Sequence, residues 1–244
     1  MMLLVNFTMR KLLFMCLVLT LLGYMPSFGK VYLVSVGIAD YPGQNLDLHV
    51  SAEDAKAIGK MYNATRDAEV HVLTNIEATQ GALLSTMHTV FSKADTNDMV
   101  MLFFSGHGDK GSLICYDGLL SYRHIFQMFK GCPASQKVII ADACYTGRMR
   151  KEKEMSTDSV SQDVMFFLSS RTNELSQETR YKNSLFTIFL ERGLRGGADR
   201  NKDKQITARE LFDFVHVGVI DASKGRQHPV MWGKFDDDMS LIKW

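Results

Sequence analysis

An excess of charge of either sign is what the sequence most clearly lacks. Its 28 Lys and Arg residues nearly balance its 27 Asp and Glu residues, which leaves a formal net charge of +1 at pH 7. Proteins that bind the phosphate backbone of nucleic acids usually carry a basic patch and a strong excess of basic residues. The even balance therefore argues against a nucleic-acid partner and against any strongly electrostatic one.

Cysteine is also scarce, with four in the whole chain. Cys16 lies in an apolar stretch near the N-terminus, which leaves Cys115, Cys132 and Cys144 for the body of the protein. An odd number of cysteines does not indicate a disulfide framework, although one bridge between Cys115 and Cys132 remains open. A chain with so few thiols suits a role in which one of them is reactive.

No apolar run is long enough to be a comfortable membrane span, which needs about 20 residues. Arg10 and Lys11 precede the apolar stretch 12–22, and small residues follow it up to Gly29. A basic start, a short apolar region and small residues at its end are typical of a signal peptide. We predict a signal peptide over residues 1–29 and export of the protein, either periplasmic or secreted. The alternative is an uncleaved leader that anchors the protein to the membrane; no span is expected in 30–244.

The rest of the chain, 30–244, alternates between strand and helix patterns. Short apolar runs predict buried strands, and apolar positions spaced by three or four residues predict helices between them. Such alternation predicts an α/β domain with a mostly parallel six-stranded sheet flanked by helices on both faces. The strands are expected at 31–37, 69–74, in the runs ending near 105 and 142, at 164–168 and at an edge within 229–233; the helices are expected from 51, around 83–91, and over 121–129, 185–194 and 207–220.

Two of the predicted strands end in chemically reactive residues. One apolar run leads into Ser-Gly-His-Gly at 105–108, and the next leads into Asp-Ala-Cys at 142–144. Because ligands bind outside the carboxyl ends of parallel strands, we expect His107 and Cys144 to lie near each other. An isolated histidine or cysteine is more often structural, but that explanation would have to apply to both strand ends independently. A thiol beside an imidazole is the arrangement expected for covalent acyl transfer.

These two motifs, Ser-Gly-His-Gly at 105–108 and Asp-Ala-Cys-Tyr-Thr-Gly at 142–147, resemble those of the caspase-like cysteine peptidases. The resemblance is to the metacaspases and bacterial caspase-like proteins more than to animal caspases, which have Gln where this chain has Asp142. It covers roughly residues 31–244 and implies the caspase–hemoglobinase fold. It also implies a cysteine endopeptidase that requires no cofactor.

The resemblance assigns roles to individual residues. His107 and Cys144 correspond to the catalytic dyad, and the backbone N–H groups of Gly108 and Cys144 correspond to the oxyanion hole. No third residue that would orient the imidazole is evident in the sequence. The alternative is a caspase-like module without catalysis that binds peptides or regulates partners, and the intact His107 and Cys144 argue against it.

The resemblance also implies an acidic S1 pocket, the pocket that holds the residue before the cleaved bond (P1). Asp54, Ser105 and Asp142 match the pocket positions of metacaspases. Two carboxylates bind a guanidinium or ammonium group through charge-assisted hydrogen bonds, so the expected substrates are peptides or proteins with Arg or Lys at P1. Three alternatives stay open: Ser51-x-x-Asp54 also fits a helix capping box, Asp142 fits a surface carboxylate, and the pocket could prefer Asp.

One further acidic motif precedes the last predicted helix. Asp199, Asn201, Asp203 and Glu210 occupy positions 1, 3, 5 and 12 of an EF-hand calcium loop. The glycine required at position 6 is replaced by Lys204, and nearby basic residues weaken attraction for a dication. A calcium site and an ordinary helix-start loop are therefore both open.

The segment 148–163 is charged and lacks apolar periodicity, which predicts an exposed loop after the cysteine motif. It contains four basic residues that an acidic S1 pocket would accept: Arg148, Arg150, Lys151 and Lys153. Self-cleavage there is one hypothesis, and an ordinary exposed connection that is never cut is the alternative. The natural substrate and the oligomeric state are left open by the sequence.

Overall fold

The computed structural model describes residues 29–43, 46–65, 67–109, 111–143, 164–171 and 182–244. The predicted signal peptide lies outside these residues except for Gly29. The predicted nucleophile Cys144 and the expected self-cleavage segment 148–163 also lie outside them. These three predictions stay predictions.

The described elements follow the predicted alternation of strands and helices. In chain order the strands are β1 (Val31–Gly37), β2 (Ala68–Thr74), β3 (Met99–Ser105), β4 (Gly108–Asp109), β5 (Ser112–Cys115), β6 (Gly118–Ser121), β7 (Gln136–Asp142), β8 (Val164–Leu168), β9 (Gln205–Thr207), β10 (Val230–Trp232) and β11 (Ser240–Lys243). The helices are α1 (Ser51–Asn63), α2 (Gln80–Phe91), α3 (Tyr122–Lys130), α4 (Leu185–Arg192) and α5 (Ala208–Ala222). Among the described helices, none is long and apolar enough to cross a membrane.

The central sheet has six strands in the order β10-β8-β7-β3-β1-β2. Five of them are parallel, and the edge strand β10 pairs antiparallel with β8. The predicted α/β class and mostly parallel six-stranded sheet are therefore confirmed. The edge strand predicted within 229–233 is β10.

Helices cover both faces of this sheet, which explains why its inner strands are apolar on both sides. Along β3, Leu102 and Phe104 pack with α2 and α3, whereas Met101 and Phe103 pack with α1, α4 and α5. Side chains alternate between the two cores because successive strand residues point to opposite faces. The two cores hold the carboxyl ends of β3 and β7 in place.

Two smaller sheets lie outside the central one. Strands β4, β5 and β6 form an antiparallel sheet between β3 and α3, which extends the short excursion predicted at 112–117. Strands β9 and β11 form a two-stranded sheet that the sequence patterns did not indicate. Cys115 and Cys132 are both buried and free, so the bridge left open by the sequence is not formed.

Close packing of α1 on β1 brings the first turn of that helix to the carboxyl edge of the sheet. A Cβ atom on Gly37 would lie 2.1 Å from the carbonyl oxygen of Ser51 and 2.7 Å from the Cβ of Ala55. Only glycine permits this approach of helix to strand. The Ser35 hydroxyl donates to the carbonyl oxygen of Ala55 at 2.8 Å and adds a second attachment. Asp54 is thereby placed next to the ends of β1 and β3.

Candidate active site

The two reactive motifs begin at one point of the sheet. Ser105 is paired with Asp142 where the parallel strands β3 and β7 end, and the N–H of Gly106 donates to the carbonyl oxygen of Asp142 at 3.1 Å. His107 follows directly and is partly exposed. Cys144 lies outside the described residues, and the buried Ala143 is the last residue described before it.

The imidazole of His107 is held through one of its two nitrogens. Its Nε2 lies 2.7 Å from the carbonyl oxygen of Leu46, in the connection after β1. A carbonyl oxygen can only accept, so Nε2 carries the proton and Nδ1 is the nitrogen that can take up a proton. This contact could not be predicted from the sequence, because a backbone carbonyl leaves no residue-type signal.

The three residues predicted for the S1 pocket lie together and are buried. Asp54, Ser105 and Asp142 are 0%, 2% and 4% exposed, respectively. The hydroxyl of Ser105 donates to Oδ2 of Asp54 at 2.9 Å. Helix α1 and strands β3 and β7 each contribute one of these side chains, so the cluster depends on the packing of three separate elements.

Asn183 and Ser184, at the start of α4, join this cluster and were not predicted from the sequence. The N–H of Ser184 donates to Oδ1 of Asp54 at 3.0 Å, and the amide of Asn183 donates to the same oxygen at 2.9 Å. The hydroxyl of Ser184 donates to Oδ2 of Asp142. It also accepts from the N–H of Thr187 at 3.1 Å, as the N-cap of the helix. A serine before a helix signals the cap alone, so nothing in the sequence linked it to the carboxylates.

The capping-box interpretation of Asp54 is wrong. The N-cap position of α1 is Val50, and no side chain caps the helix there. The carboxylate of Asp54 points instead to Ser105, Asn183 and Ser184. The surface interpretation of Asp142 is also wrong, because Asp142 is buried.

The cluster suits a positively charged ligand. Burial, followed by the nearby charge of Asp142, raises the pKa of Asp54 to about 7. The hydrogen-bond donors to Asp54 from Ser105, Asn183 and Ser184 are all neutral. A cation that entered beside the two carboxylates would offset the cost of burying their charges.

The remaining thiols of the described chain do not compete as nucleophiles. Burial raises the pKa of Cys115 to about 12 and also raises the pKa of Cys132. The Sγ of Cys132 donates to the carbonyl oxygen of Phe91 at 3.3 Å. Because the thiolate is the reactive form, both of these thiols are inert near neutral pH.

The predicted calcium loop has hydrogen bonds of its own. The carboxylate of Asp199 accepts from the N–H groups of Asp203 and Lys204 at 3.2 and 3.1 Å. Glu210 forms a capping box with Thr207 at the start of α5. Within the described ranges, no group of three or more His, Cys, Asp or Glu side chains is arranged to hold a metal ion. The helix-start role of Glu210 is therefore present, and these contacts do not test the calcium alternative.

The sequence matches the family described as Caspase domain over residues 32–239. The chain belongs to the caspase domain family of cysteine peptidases. Its fold resembles caspase-1 from Spodoptera frugiperda, with a TM-score of 0.66, 17% identity, and coverage of 88% of this chain and 90% of that one. It also resembles a protein from Geobacter sulfurreducens, with a TM-score of 0.65, 17% identity, and coverage of 85% and 95%. At this identity the two structures support the caspase fold alone. No curated protein sequence matches the chain.

Proposed function

We propose that this caspase-domain protein is an exported cysteine endopeptidase that cleaves peptide bonds after Arg or Lys. The observation that carries the proposal is the buried cluster of Asp54, Ser105 and Asp142 beside His107, at the carboxyl edge of β3 and β7. Membership of a cysteine peptidase family supports the reaction, and the two carboxylates support the preference for a basic residue.

In the proposed reaction, Nδ1 of His107 takes the proton of the Cys144 thiol, and the resulting thiolate attacks the carbonyl carbon of the scissile bond and forms a C–S bond. The carbonyl oxygen becomes an oxyanion that the N–H groups of Gly108 and Cys144 would stabilise. As the C–N bond breaks, the protonated Nδ1 of His107 gives its proton to the departing amine. The same nitrogen then takes a proton from water as the water oxygen attacks the acyl-enzyme. The C–S bond breaks, the acid is released, and Nδ1 returns the proton to the thiolate.

The contact between His107 and Leu46 supports these separate roles for the two ring nitrogens. Because Nε2 is bound to the Leu46 carbonyl at 2.7 Å, the ring cannot turn freely, and Nδ1 is left for the thiol and the substrate. The positive charge that forms on the ring is stabilised by the same carbonyl. A dyad therefore needs no carboxylate to orient its histidine.

The acidic cluster supports the choice of substrate. A guanidinium group binds two carboxylates through several charge-assisted hydrogen bonds, and an ammonium group binds them as a point charge. An Asp side chain at P1 would instead add a third carboxylate to a site whose two acids already repel each other. We therefore expect Arg and Lys to be favoured over Asp at P1.

Two substitutions test the reaction. Cys144→Ala and His107→Ala should each abolish hydrolysis of a fluorogenic P1-Arg peptide, whereas Cys132→Ala should retain it because that thiol is buried before β7. Thermal unfolding should confirm that all three proteins are folded, since none of the changes opens a large cavity. Residual turnover by Cys144→Ala would refute the assignment of Cys144 as the nucleophile.

Export and self-cleavage are separate parts of the proposal. Edman sequencing of protein recovered from the medium or periplasm should give a mature N-terminus near residue 30, whereas a full-length membrane-bound form would indicate an anchor.

Purified protein should yield two fragments that meet after Arg148, Arg150, Lys151 or Lys153. Cys144→Ala should remain whole, and cleavage of both proteins alike would point to a contaminating protease.

A further inference from the structure

We propose that Tyr41 is a positioning residue that holds the backbone of His107 and one face of its imidazole for catalysis. The inference rests on the proposed peptidase function, for which His107 is the general acid and base. Tyr41 lies in the connection between β1 and α1, which also contains Leu46.

A closed set of three hydrogen bonds joins Tyr41, His107 and Ile114. The N–H of His107 donates to the phenol oxygen of Tyr41 at 2.9 Å, and the phenol O–H donates to the carbonyl oxygen of Ile114 at 3.0 Å. The N–H of Ile114 in turn donates to the carbonyl oxygen of His107 at 3.0 Å. Both backbone polar groups of His107 are therefore satisfied, and one of them depends on the hydroxyl of a side chain.

The phenol also contacts the imidazole directly. The ring centroids of Tyr41 and His107 lie 4.8 Å apart at an interplanar angle of 43°. Tyr41 is only 4% exposed, so its ring fills the space behind the imidazole and limits rotation about the side-chain bonds. Burial raises the pKa of the phenol, which keeps the hydroxyl proton in place for donation to Ile114 across the working range of pH.

Neighbouring residues leave space for the phenol of Tyr41 and fix the connection that carries it. A Cβ atom on Gly106 would lie 2.6 Å from the hydroxyl oxygen of Tyr41, so the residue before His107 must be glycine for the oxygen to fit. The N–H of Tyr41 donates to Oδ1 of Asp47 at 3.1 Å. The side-chain oxygen of Asn75, which follows β2, accepts from the N–H groups of Ala39 and Asp40 at 2.9 and 3.2 Å. The connection that carries Tyr41 is thus attached to the edge of the sheet.

Two residues of the connection between β1 and α1 therefore hold His107. The carbonyl of Leu46 binds Nε2, and the side chain of Tyr41 binds the backbone N–H and packs on the ring. A shift of the imidazole by about 1 Å costs on the order of a hundredfold in rate when the group transfers protons. The Tyr41 hydroxyl would control the position of the imidazole ring.

Tyr41→Phe isolates the hydroxyl, because it keeps the ring and leaves the N–H of His107 and the carbonyl of Ile114 without this partner. We expect kcat for a P1-Arg peptide to fall between roughly tenfold and a hundredfold. KM should change by less than about twofold, because the hydrogen bonds described for Asp54 come from Ser105, Asn183 and Ser184 and not from Tyr41.

Tyr62→Phe is the matched control. Tyr62 is a fully buried tyrosine of α1, and its hydroxyl donates to the carbonyl oxygen of Leu241 at 3.2 Å. Both substitutions remove one buried hydroxyl bonded to a carbonyl, so both should lower Tm by a few degrees. Only Tyr41→Phe should lower kcat. A kcat in Tyr41→Phe within twofold of that in Tyr62→Phe would overturn the inference.

A second measurement keeps the inference distinct from the proposed function. If the wild type hydrolyses no peptide of any P1 residue, the proposed function fails. The role of Tyr41 is still tested by NMR of ¹⁵N-histidine-labelled protein, with His107 assigned by comparison with His107→Ala. Wild type and Tyr62→Phe should show a single, slowly exchanging Nε2–H tautomer for His107, whereas Tyr41→Phe should lose it through exchange. An unchanged His107 signal in Tyr41→Phe would refute the positioning role.

Discussion

Two groups of acidic residues looked like cation sites in the sequence: the pair Asp54 and Asp142, and the loop with Asp199, Asp203 and Glu210. In the structure the first pair is almost free of solvent exposure, and its donors come from β3 and the start of α4. In the loop, Asp203 is exposed and Asp199 and Glu210 are partly exposed. Their carboxylates bind N–H groups of the loop and of Thr207, the N-cap of α5.

The difference lies in what the carboxylates already do for the fold. In the loop, each bond to a nearby N–H stabilises a turn or a helix end, which accounts for the acidic residues without a ligand. Around Asp54, burial and a second carboxylate raise the pKa, and neutral donors offset that cost only in part. Carboxylates gathered from distant elements and buried against each other indicate function more strongly than a local acidic motif does.

Loss of one carboxylate of the proposed S1 pocket should have the largest effect. Asp142→Asn should lower kcat/KM for P1-Arg peptides about a hundredfold, since removal of one partner of a buried charge pair costs roughly 2–5 kcal/mol. Asp203→Asn, the same change in the acidic loop, should leave kcat/KM within about twofold. If both variants lost kcat/KM equally, the proposed difference between the buried pair and the acidic loop would be wrong.

The pH dependence of cation binding should be the next largest effect. Benzamidine, a mimic of the Arg side chain, should bind Cys144→Ala protein with a Kd that rises about tenfold per pH unit below pH 7, because Asp54 must lose its proton. In the double variant Cys144→Ala/Asp54→Asn this dependence should vanish along with most of the affinity. A Kd that stays constant between pH 5 and pH 8 would contradict the buried-pair account.

The same pKa predicts how stability changes with pH. The pKa of Asp54 is raised in the folded state, so the folded protein binds a proton that the unfolded chain has lost. The free energy of unfolding should therefore decrease as pH rises from about 4 to about 7, and Asp54→Asn should flatten this decrease. Urea titrations at several pH values measure both. A wild-type slope equal to that of Asp54→Asn would place the pKa of Asp54 in its ordinary range.

Loss of the helix cap in the acidic loop should have a smaller effect, confined to stability. Glu210→Ala should lower the free energy of unfolding by about 1 kcal/mol, because Thr207 and Glu210 cap α5 reciprocally. Glu191→Ala, which removes the ion pair between Glu191 on α4 and Arg195 beyond its end, should cost less, about 0.5 kcal/mol. Thermal unfolding compares the two, and kcat/KM should stay near the wild-type value in both.

Calcium should have the smallest effect. We expect no saturable rise in Tm when calcium is added, because Asp199, Asn201 and Asp203 already bind the turn and Lys202 and Lys204 lie in it. A saturable rise in Tm that disappears in Asp203→Asn would instead establish the EF-hand interpretation.

The central sheet could be predicted because its inner strands are apolar on both faces and are separated by helical periodicity. The pairing of β9 with β11 could not, since each strand is short and the partners are distant in the sequence. Asp54 shows the limit of a local pattern: the spacing from Ser51 fits a capping box, but the packing of α1 against Gly37 directs the carboxylate elsewhere.

Site residues with distinctive chemistry, such as His107 and Asp142, could be nominated from their place at strand ends. Tyr41, Asn183 and Ser184 could not, because tyrosine in a turn and serine before a helix are common for other reasons. Their roles depend on which groups the fold places beside them. The carbonyl of Leu46 has no signal in the sequence at all.

The central claim is that two buried carboxylates select a basic residue at P1, and a panel of fluorogenic peptides that differ only at P1 tests it most directly. Wild-type protein should hydrolyse the Arg and Lys peptides, with much lower kcat/KM for the Ala and Asp peptides. Asp142→Asn should reduce kcat/KM for the Arg and Lys peptides while changing little for the Ala peptide. A wild-type preference for the Asp peptide would contradict the account.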